Sequence, residues 1–168
     1  AERISVRDSV SLGGSSRLGY PWRTISEDVV CSGNYTEWGL VVRDFRKATV
    51  SRNTIVAEST VVQMEGAQKL LLAGQRWSNN DYYVTDGRWG DCAIIAEGKS
   101  LGLTFAEWKI RTGQDSDSKF TKGTPSQLRV LLRPNAYEPG RANLAILNPA
   151  ALPQVEVDLS SVLKKGQA

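Results

Sequence analysis

Short strand-forming runs that each reach an asparagine recur in the first half of this chain: VCSGNY (30–35), VSRNT (50–54) and WSNNDY (77–82). The asparagines are Asn34, Asn53 and Asn80, so consecutive copies are 19 and 27 residues apart. This spacing is close to one turn of a right-handed parallel β-helix. Asparagine suits such a turn because it tolerates a left-handed backbone, and because its amide can bond to the asparagine of the next turn. We therefore expect stacked parallel coils over residues 25–85. Three ordinary turns between antiparallel strands are the alternative.

A single helix is predicted beyond the strand-rich half. Thr104 and Glu107 have the spacing of a capping box, and Gly113 suits the left-handed C-terminal cap. The helix should therefore cover residues 105–112 and close the end of the coils.

Longer alternating strands follow, in which Leu128, Val130 and Leu132 share one face, and residues 144–146 and 155–159 alternate in the same way. Proline and glycine mark the turns between them. The fold class is therefore all-β: a right-handed parallel β-helix of a few coils with a capping helix, followed by a small antiparallel β module. The predicted parts are parallel β-helix coils with the capping helix (1–113), a linker loop (114–126) and the antiparallel β module (127–168).

Composition excludes several kinds of chemistry. The chain has 168 residues, a net charge of +3 and no histidine, so a nucleophile–histidine system and a two-histidine zinc site are ruled out. Cys31 and Cys92 could form a disulfide or remain reduced in the core. We expect no metal and no cofactor. No block of Lys and Arg resembles a nucleic-acid-binding arm, and no apolar run approaches the roughly 20 residues of a membrane span.

Charged and aromatic residues supply the candidate sites. Asp115 and Asp117 are spaced as in a calcium loop, but the full pattern is missing, so an acidic loop is favoured. A mixed-charge stretch over 37–47 could hold an arginine base, although a salt-bridged outer face is favoured. Exposed aromatic rings could stack on sugars, or the same rings could seal the fold. The candidate ligand-binding residues are Trp22, Tyr35, Trp38, Trp77 and Tyr82.

Three longer motifs resemble a known family: RPNAYEPGRAN (133–143), WKIRTGQDSDS (108–118) and SRLGYPW (16–22). They resemble segments of secreted bacterial right-handed parallel β-helix proteins of the pectin-lyase-like group. That resemblance implies an extracytoplasmic (secreted or periplasmic) protein, with the first motif in a small β module after the last coil. Relatives have more coils, and this chain begins at Ala1 without a signal-peptide pattern, so we expect a C-terminal part of a longer protein or a shortened member.

The expected function follows from these features. The family's enzymes use acidic clusters, often with calcium, and an Arg or Lys base, and no such cluster is evident. We expect a non-catalytic extracytoplasmic module for binding, assembly or accessory docking on a larger complex, with polysaccharide as a possible ligand. The alternative is a fragment of a polysaccharide lyase, hydrolase or epimerase acting on acidic glycans. Ile4, Val6 and Val10 form no polar cap, so we expect a protein partner or missing upstream coils to cover the N-terminal end.

Overall fold

The structure is a computed structural model that describes residues 3–19, 25–66 and 72–163. The chain divides into two compact units, Ala1–Thr124 and Pro125–Ala168. Within the described residues, the regular structure consists of short strands and one helix, α1 (Phe105–Thr112). No helix of this part of the chain is long and apolar enough to cross a membrane.

The first unit contains three sheets, named A, B and C. Sheet A consists of β1 (Arg3–Arg7), β4 (Ser26–Ser32), β7 (Phe45–Ser51) and β10 (Gln75–Ser78). Sheet B consists of β2 (Val10–Ser11), β5 (Tyr35–Glu37), β8 (Thr54–Ala57), β11 (Asp81–Val84) and β14 (Lys119–Lys122). Sheet C consists of β3 (Ser16–Leu18), β6 (Leu40–Arg43), β9 (Val62–Glu65), β12 (Cys92–Ala96) and β13 (Lys99–Leu103).

Consecutive strands enter sheets A, B and C in turn, from β1 through β12. Neighbouring strands are parallel within each sheet, except that β13 pairs antiparallel with β12. The prediction of a predominantly β protein built on parallel sheets is therefore confirmed. Since strands of one sheet are separated by two others in sequence, most of the contacts that hold this unit together are long-range.

The repeated asparagines form a buried ladder between β4–β5, β7–β8 and β10–β11. The amide nitrogen of Asn34 donates to Oδ1 of Asn53 at 3.0 Å, and the amide nitrogen of Asn53 donates to Oδ1 of Asn80 at 3.0 Å. The same two oxygens accept the backbone N–H groups of Asn34 and Asn53. Asn34 and Asn53 thus occupy equivalent corners, as predicted, and each rung satisfies several buried polar groups.

The residue with the left-handed backbone at each corner is not the ladder asparagine but the residue before it. Gly33, Arg52 and Asn79, which precede the three ladder residues, have φ values of +69°, +56° and +53°. The first of these is a glycine, which adopts this conformation without a steric penalty. The ladder asparagine is therefore required for its side-chain amide. The left-handed backbone conformation that was expected of it belongs to the preceding residue.

Helix α1 begins and ends as predicted. Thr104 accepts from the backbone of Glu107, whose side chain in turn accepts from the backbone of Thr104, and Gly113 closes the helix at φ +68°. Trp108 is fully buried and packs edge-on against Trp77, with ring centroids 5.6 Å apart. The helix is therefore attached to the sheets through a large apolar contact.

The acidic loop after the helix contains a buried carboxylate. Asp115 is 1% exposed. Its carboxylate accepts from the amide nitrogen of Asn80 at 3.1 Å, the hydroxyl of Tyr82 at 3.0 Å, the hydroxyl of Ser118 at 2.6 Å and the indole nitrogen of Trp108 at 2.9 Å. Asp115 therefore terminates the asparagine ladder, because its carboxylate accepts from the amide of Asn80 as the asparagine oxygens accept on the earlier rungs.

The predicted linker over 114–126 is partly wrong. Lys119–Lys122 forms β14, which pairs in parallel with β11 of sheet B. The segment that follows Asp115 is aligned with the edge of sheet B, since the N–H of Lys119 donates to the carbonyl of Asn80 at 2.8 Å. This alignment allows the segment to pair as a strand.

The second unit contains one antiparallel pair, β15 (Arg129–Pro134) with β16 (Ala142–Leu147). The segment over 155–159, predicted as a further strand, has no strand pairing; its alternation alone is insufficient without a neighbouring strand. In the turn between β15 and β16, Arg141 and Glu138 form an ion pair at 2.6 Å.

Both cysteines are free and buried, which settles the choice between a disulfide and core thiols. Burial raises the pKa of Cys31 to about 11, a shift that a hydrogen bond with Asn34 partly offsets. Burial also raises the pKa of Cys92 far above its usual range, with smaller contributions from Asp115 and Asp91. Both thiols are therefore held neutral in the folded chain.

We expect neither thiol to react with a disulfide reagent at pH 8 in the folded chain, and both to react once the chain is unfolded. Because the folded pKa values are raised, the stabilisation from neutral thiols is fully present below the unfolded value of about 8.5 and is lost as pH rises through the folded values. Denaturant titrations at pH 8 and pH 10.5 should show the loss. Rapid reaction of either thiol in the native chain would contradict the buried placement.

Candidate functional site

The outer face of sheet A carries a row of charged side chains. Strand alternation turns Ile4, Val29 and Ala48 toward the core in one register row. The preceding row, Arg3, Asp28 and Lys47, therefore faces the other side of the sheet. Three parallel strands thus place three charged side chains side by side.

Two open hollows lie along this face and share Lys47. The first has a volume of about 730 Å³ and is lined by Arg3, Glu27, Asp28 and Lys47. The second, of about 410 Å³, is lined by Lys47, Ala73, Gly74, Gln75 and Arg76. Together they form the sheet A groove, which crosses β1, β4, β7 and the start of β10.

The backbone shapes the second hollow. A Cβ atom at Gly74 would overlap the carbonyl of Arg46, so only glycine fits the close approach of this segment to β7. The Ala48 N–H donates to the Gly74 carbonyl at 3.1 Å, which fixes the segment beside Lys47. The position of Arg76 on β10 follows from this contact.

Positive charge is available in the sheet A groove. Glu27 is paired with Arg46 at 3.0 Å. Among the described residues, the side chains of Arg3, Lys47 and Arg76 take part in no ion pair. These three cations are therefore free to meet an anionic ligand, with Asp28 as the carboxylate between two of them.

Two charged residues of the mixed-charge stretch over 37–47, both of them arginines, form ion pairs. Arg43 pairs with Glu65 of the neighbouring strand, and Arg46 pairs with Glu27. Lys47 forms no ion pair with another described residue and lies in the groove. Neither acidic partner was predicted, because each is brought in by strand pairing from a distant part of the sequence.

Three of the five candidate aromatic residues are buried, which corrects their prediction as an exposed binding platform. Tyr35 is 7% exposed, Trp77 is 3% exposed and Tyr82 is fully buried. Register places Trp77 beside Val50 and Tyr82 beside Ile55, in inward-facing rows of the core. Large rings at these positions fill the interior instead of contacting a ligand.

The other two candidates have different outcomes. Trp22 lies outside the described residues. Trp38 is 60% exposed, and a further residue, Trp89, is 74% exposed. A binding role therefore stays a prediction for Trp22 and Trp38. Trp89 is a further exposed ring, which sequence patterning could not separate from the buried ones.

The sequence contains a weak signal for two of the groove residues. Counting back six residues from Asn34 and from Asn53 reaches Asp28 and Lys47, which pair in register on sheet A. Extending the register of the asparagine repeat by six residues toward the N-terminus thus predicts that Asp28 and Lys47 lie side by side. Arg76 has no such signal, because it lies four residues before Asn80, in the row of Val30 and Thr49.

Neither a metal site among the described residues nor a known relative indicates a ligand for the groove. Within the described residues, no group of three or more Cys, Asp or Glu side chains is placed to hold a metal ion. No family model, curated protein or solved structure matches this chain. The case for a function therefore rests on the geometry of the sheet A groove.

Proposed function

We propose that the chain is a non-catalytic, extracytoplasmic binding module that holds an acidic glycan in the sheet A groove. The observation that carries this proposal is the placement of Arg3, Lys47 and Arg76 along one open face, without ion-pair partners among the described residues. A linear polymer that carries carboxylates fits such a series of cations. Each carboxylate can contact one cation, and the series extends across several strands.

The proposed architecture is a right-handed parallel β-helix of the pectin-lyase-like kind, with sheets A, B and C as its faces. The strand order, in which each sheet receives every third strand, supports it. The asparagine ladder supports it as well, since the rungs join successive strand pairs. In such a stack the groove runs along the axis, across strands about 4.8 Å apart.

The spacing favours a linear polymer over a small anion. Arg3 and Lys47 are two strands apart, hence separated by about 10 Å along the stack. Asp28 lies between them, so a compact anion seated there would meet a carboxylate. A chain of uronate residues can place carboxylates near the cations and hydroxyl groups near Asp28.

Affinity electrophoresis tests the proposal directly. We expect the native chain to migrate more slowly in a gel that contains polygalacturonate or alginate than in a plain gel. The retardation should shrink as salt is raised, because exposed charge pairs are screened. Unchanged migration in every acidic polysaccharide at low salt would contradict the proposal.

A second candidate is a fragment of a polysaccharide lyase or epimerase, favoured by the register of Asp28 between Arg3 and Lys47. Such enzymes need a base near a neutralised uronate carboxylate. Release of unsaturated uronates from polygalacturonate or alginate, seen as an ultraviolet absorbance rise, would favour this candidate. The binding proposal expects no such rise.

We also propose that a protein partner or further coils cover the end formed by β1, β2 and β3. These strands are the edges of all three sheets, and a cavity of about 210 Å³ lies inside them, lined in part by Val6, Leu18 and Cys31. Ile4, Val6 and Val10 are half-buried. We expect self-association or partner capture in a solution-mass measurement; a strictly monomeric chain that binds nothing at this end would contradict it.

A further inference from the structure

Two exposed tryptophans lie on one corner of the first unit, where the chain passes from sheet B to sheet C. Trp38 lies between β5 and β6, and Trp89 lies between β11 and β12. Their exposed fractions are 60% and 74%. A side chain of this size is rarely left so open in water, so each ring is a candidate contact surface.

The two segments belong to the same stack of connections, with the segment over 58–61 between them. The N–H of Leu40 donates to the carbonyl of Val61 at 3.0 Å, and the N–H of Val61 donates to the carbonyl of Asp91 at 2.8 Å. The Thr60 hydroxyl also donates to the carbonyl of Gly90 at 3.2 Å. The backbones of the first and third connections are therefore two strand spacings apart, about 10 Å along the stack, where they join sheet C.

The backbone is closely packed at the glycine that follows each tryptophan. Each is followed by a glycine with positive φ, Gly39 at +82° and Gly90 at +92°. A Cβ atom at Gly39 would lie 2.8 Å from the carbonyl oxygen of Thr60, so the connection is packed tightly on its neighbour. A closely packed backbone loses less conformational entropy than a loose loop when a ligand binds.

The surroundings of the two rings are acidic and polar. Glu37 precedes Trp38, Glu58 lies in the middle connection, and Asp86 pairs with Arg88 at 2.9 Å beside Trp89. Lys122 also reaches this corner, where it pairs with Asp91 at 3.1 Å. Four carboxylates against two cations disfavour an anionic ligand here. The sheet A groove, by contrast, offers unpaired cations.

We propose that Trp38 and Trp89 form a second binding site, distinct from the sheet A groove, for a linear uncharged glycan. The apolar faces of pyranose rings stack on the two indoles, and carboxylates of the corner accept hydrogen bonds from sugar hydroxyls. A separation of two strand spacings is close to that of every second ring in an extended pyranose chain. A protein interface would need a continuous apolar patch, whereas here the segment between the rings carries Glu58 and Ser59.

The test is affinity electrophoresis of the full chain in gels that contain hydroxyethyl cellulose, xyloglucan, galactomannan or starch. The variants are Trp38→Ala, Trp89→Ala and the double variant. We expect retardation by at least one of these uncharged glycans. Each single substitution should weaken that apparent affinity about fivefold, since one aromatic contact contributes a modest share of the binding. The double variant should lose the retardation.

Two controls separate this site from a general loss of structure and from the sheet A groove. Tyr137→Ala removes an aromatic ring that is 94% exposed in the second unit and should leave retardation unchanged. The double tryptophan variant should keep its circular dichroism spectrum and its retardation by polygalacturonate. Equal retardation of wild type and double variant, no retardation by any of the four glycans, or self-association of the wild type through these tryptophans would overturn the proposal.

Discussion

Replacing Asn53 by alanine is expected to destabilise the first unit by about 3 to 4 kcal/mol, among the largest effects of a single substitution. Asn53 is 1% exposed, and its side chain bonds to the next rung on either side and to the carbonyl of Cys31. Alanine leaves the backbone N–H of Asn34, the carbonyl of Cys31 and Oδ1 of Asn80 short of a partner in a site that water cannot easily reach.

Denaturant unfolding measures this effect as a lower midpoint with an unchanged slope. Asn79→Gly is the matched control: Asn79 is exposed, adjoins the ladder and has a φ of +53° that glycine also adopts. We expect the control to change stability by less than about 1 kcal/mol. Equal destabilisation by both variants would mean that the ladder contributes no more than an ordinary corner residue.

Reversing two charges in the sheet A groove, Lys47→Glu with Arg76→Glu, is expected to weaken binding to oligogalacturonate on the order of 50-fold. Each substitution removes an attraction and adds a repulsion, and both side chains line the hollows that share Lys47. Both residues are exposed, so folding should be little affected. Calorimetric titration of the intact chain gives the affinity.

The matched control reverses two charges elsewhere on the same unit, Lys99→Glu with Lys119→Glu. Both lysines are exposed, on sheets C and B. The control changes the net charge by the same amount, so a long-range electrostatic effect would appear in both double variants. If the two lose affinity equally, the groove is not the binding site.

The parallel core of the fold could be predicted because its signals are local and repeated. The asparagine spacing predicts the register that brings Asn34, Asn53 and Asn80 together, and the Thr104–Glu107 capping box predicts helix α1. Each of these patterns is decided by residues close in sequence or by a simple repeat. Such local patterns can be read from the sequence because local preferences agree with the global fold.

The parts that could not be predicted depend on long-range pairing. Asp115 belongs to an exposed acidic loop by composition, yet Trp108, Tyr82 and Asn80 surround it in the structure. Strand β14 is hidden in a polar stretch because its pairing partner, β11, precedes the helix. Burial of Trp77 likewise follows from strand register, which residue type does not encode. Trp89 is exposed because it lies in the turn between β11 and β12.

The most direct test of acidic-glycan binding in the sheet A groove is a backbone amide NMR titration of the intact chain with trigalacturonate at low salt. We predict chemical-shift changes that concentrate on the backbone of β1, β4, β7 and the start of β10, with the largest near Asp28, Lys47 and Arg76. The connections between sheets B and C should be little affected. No shift at saturating ligand, or changes centred away from sheet A, would contradict the account.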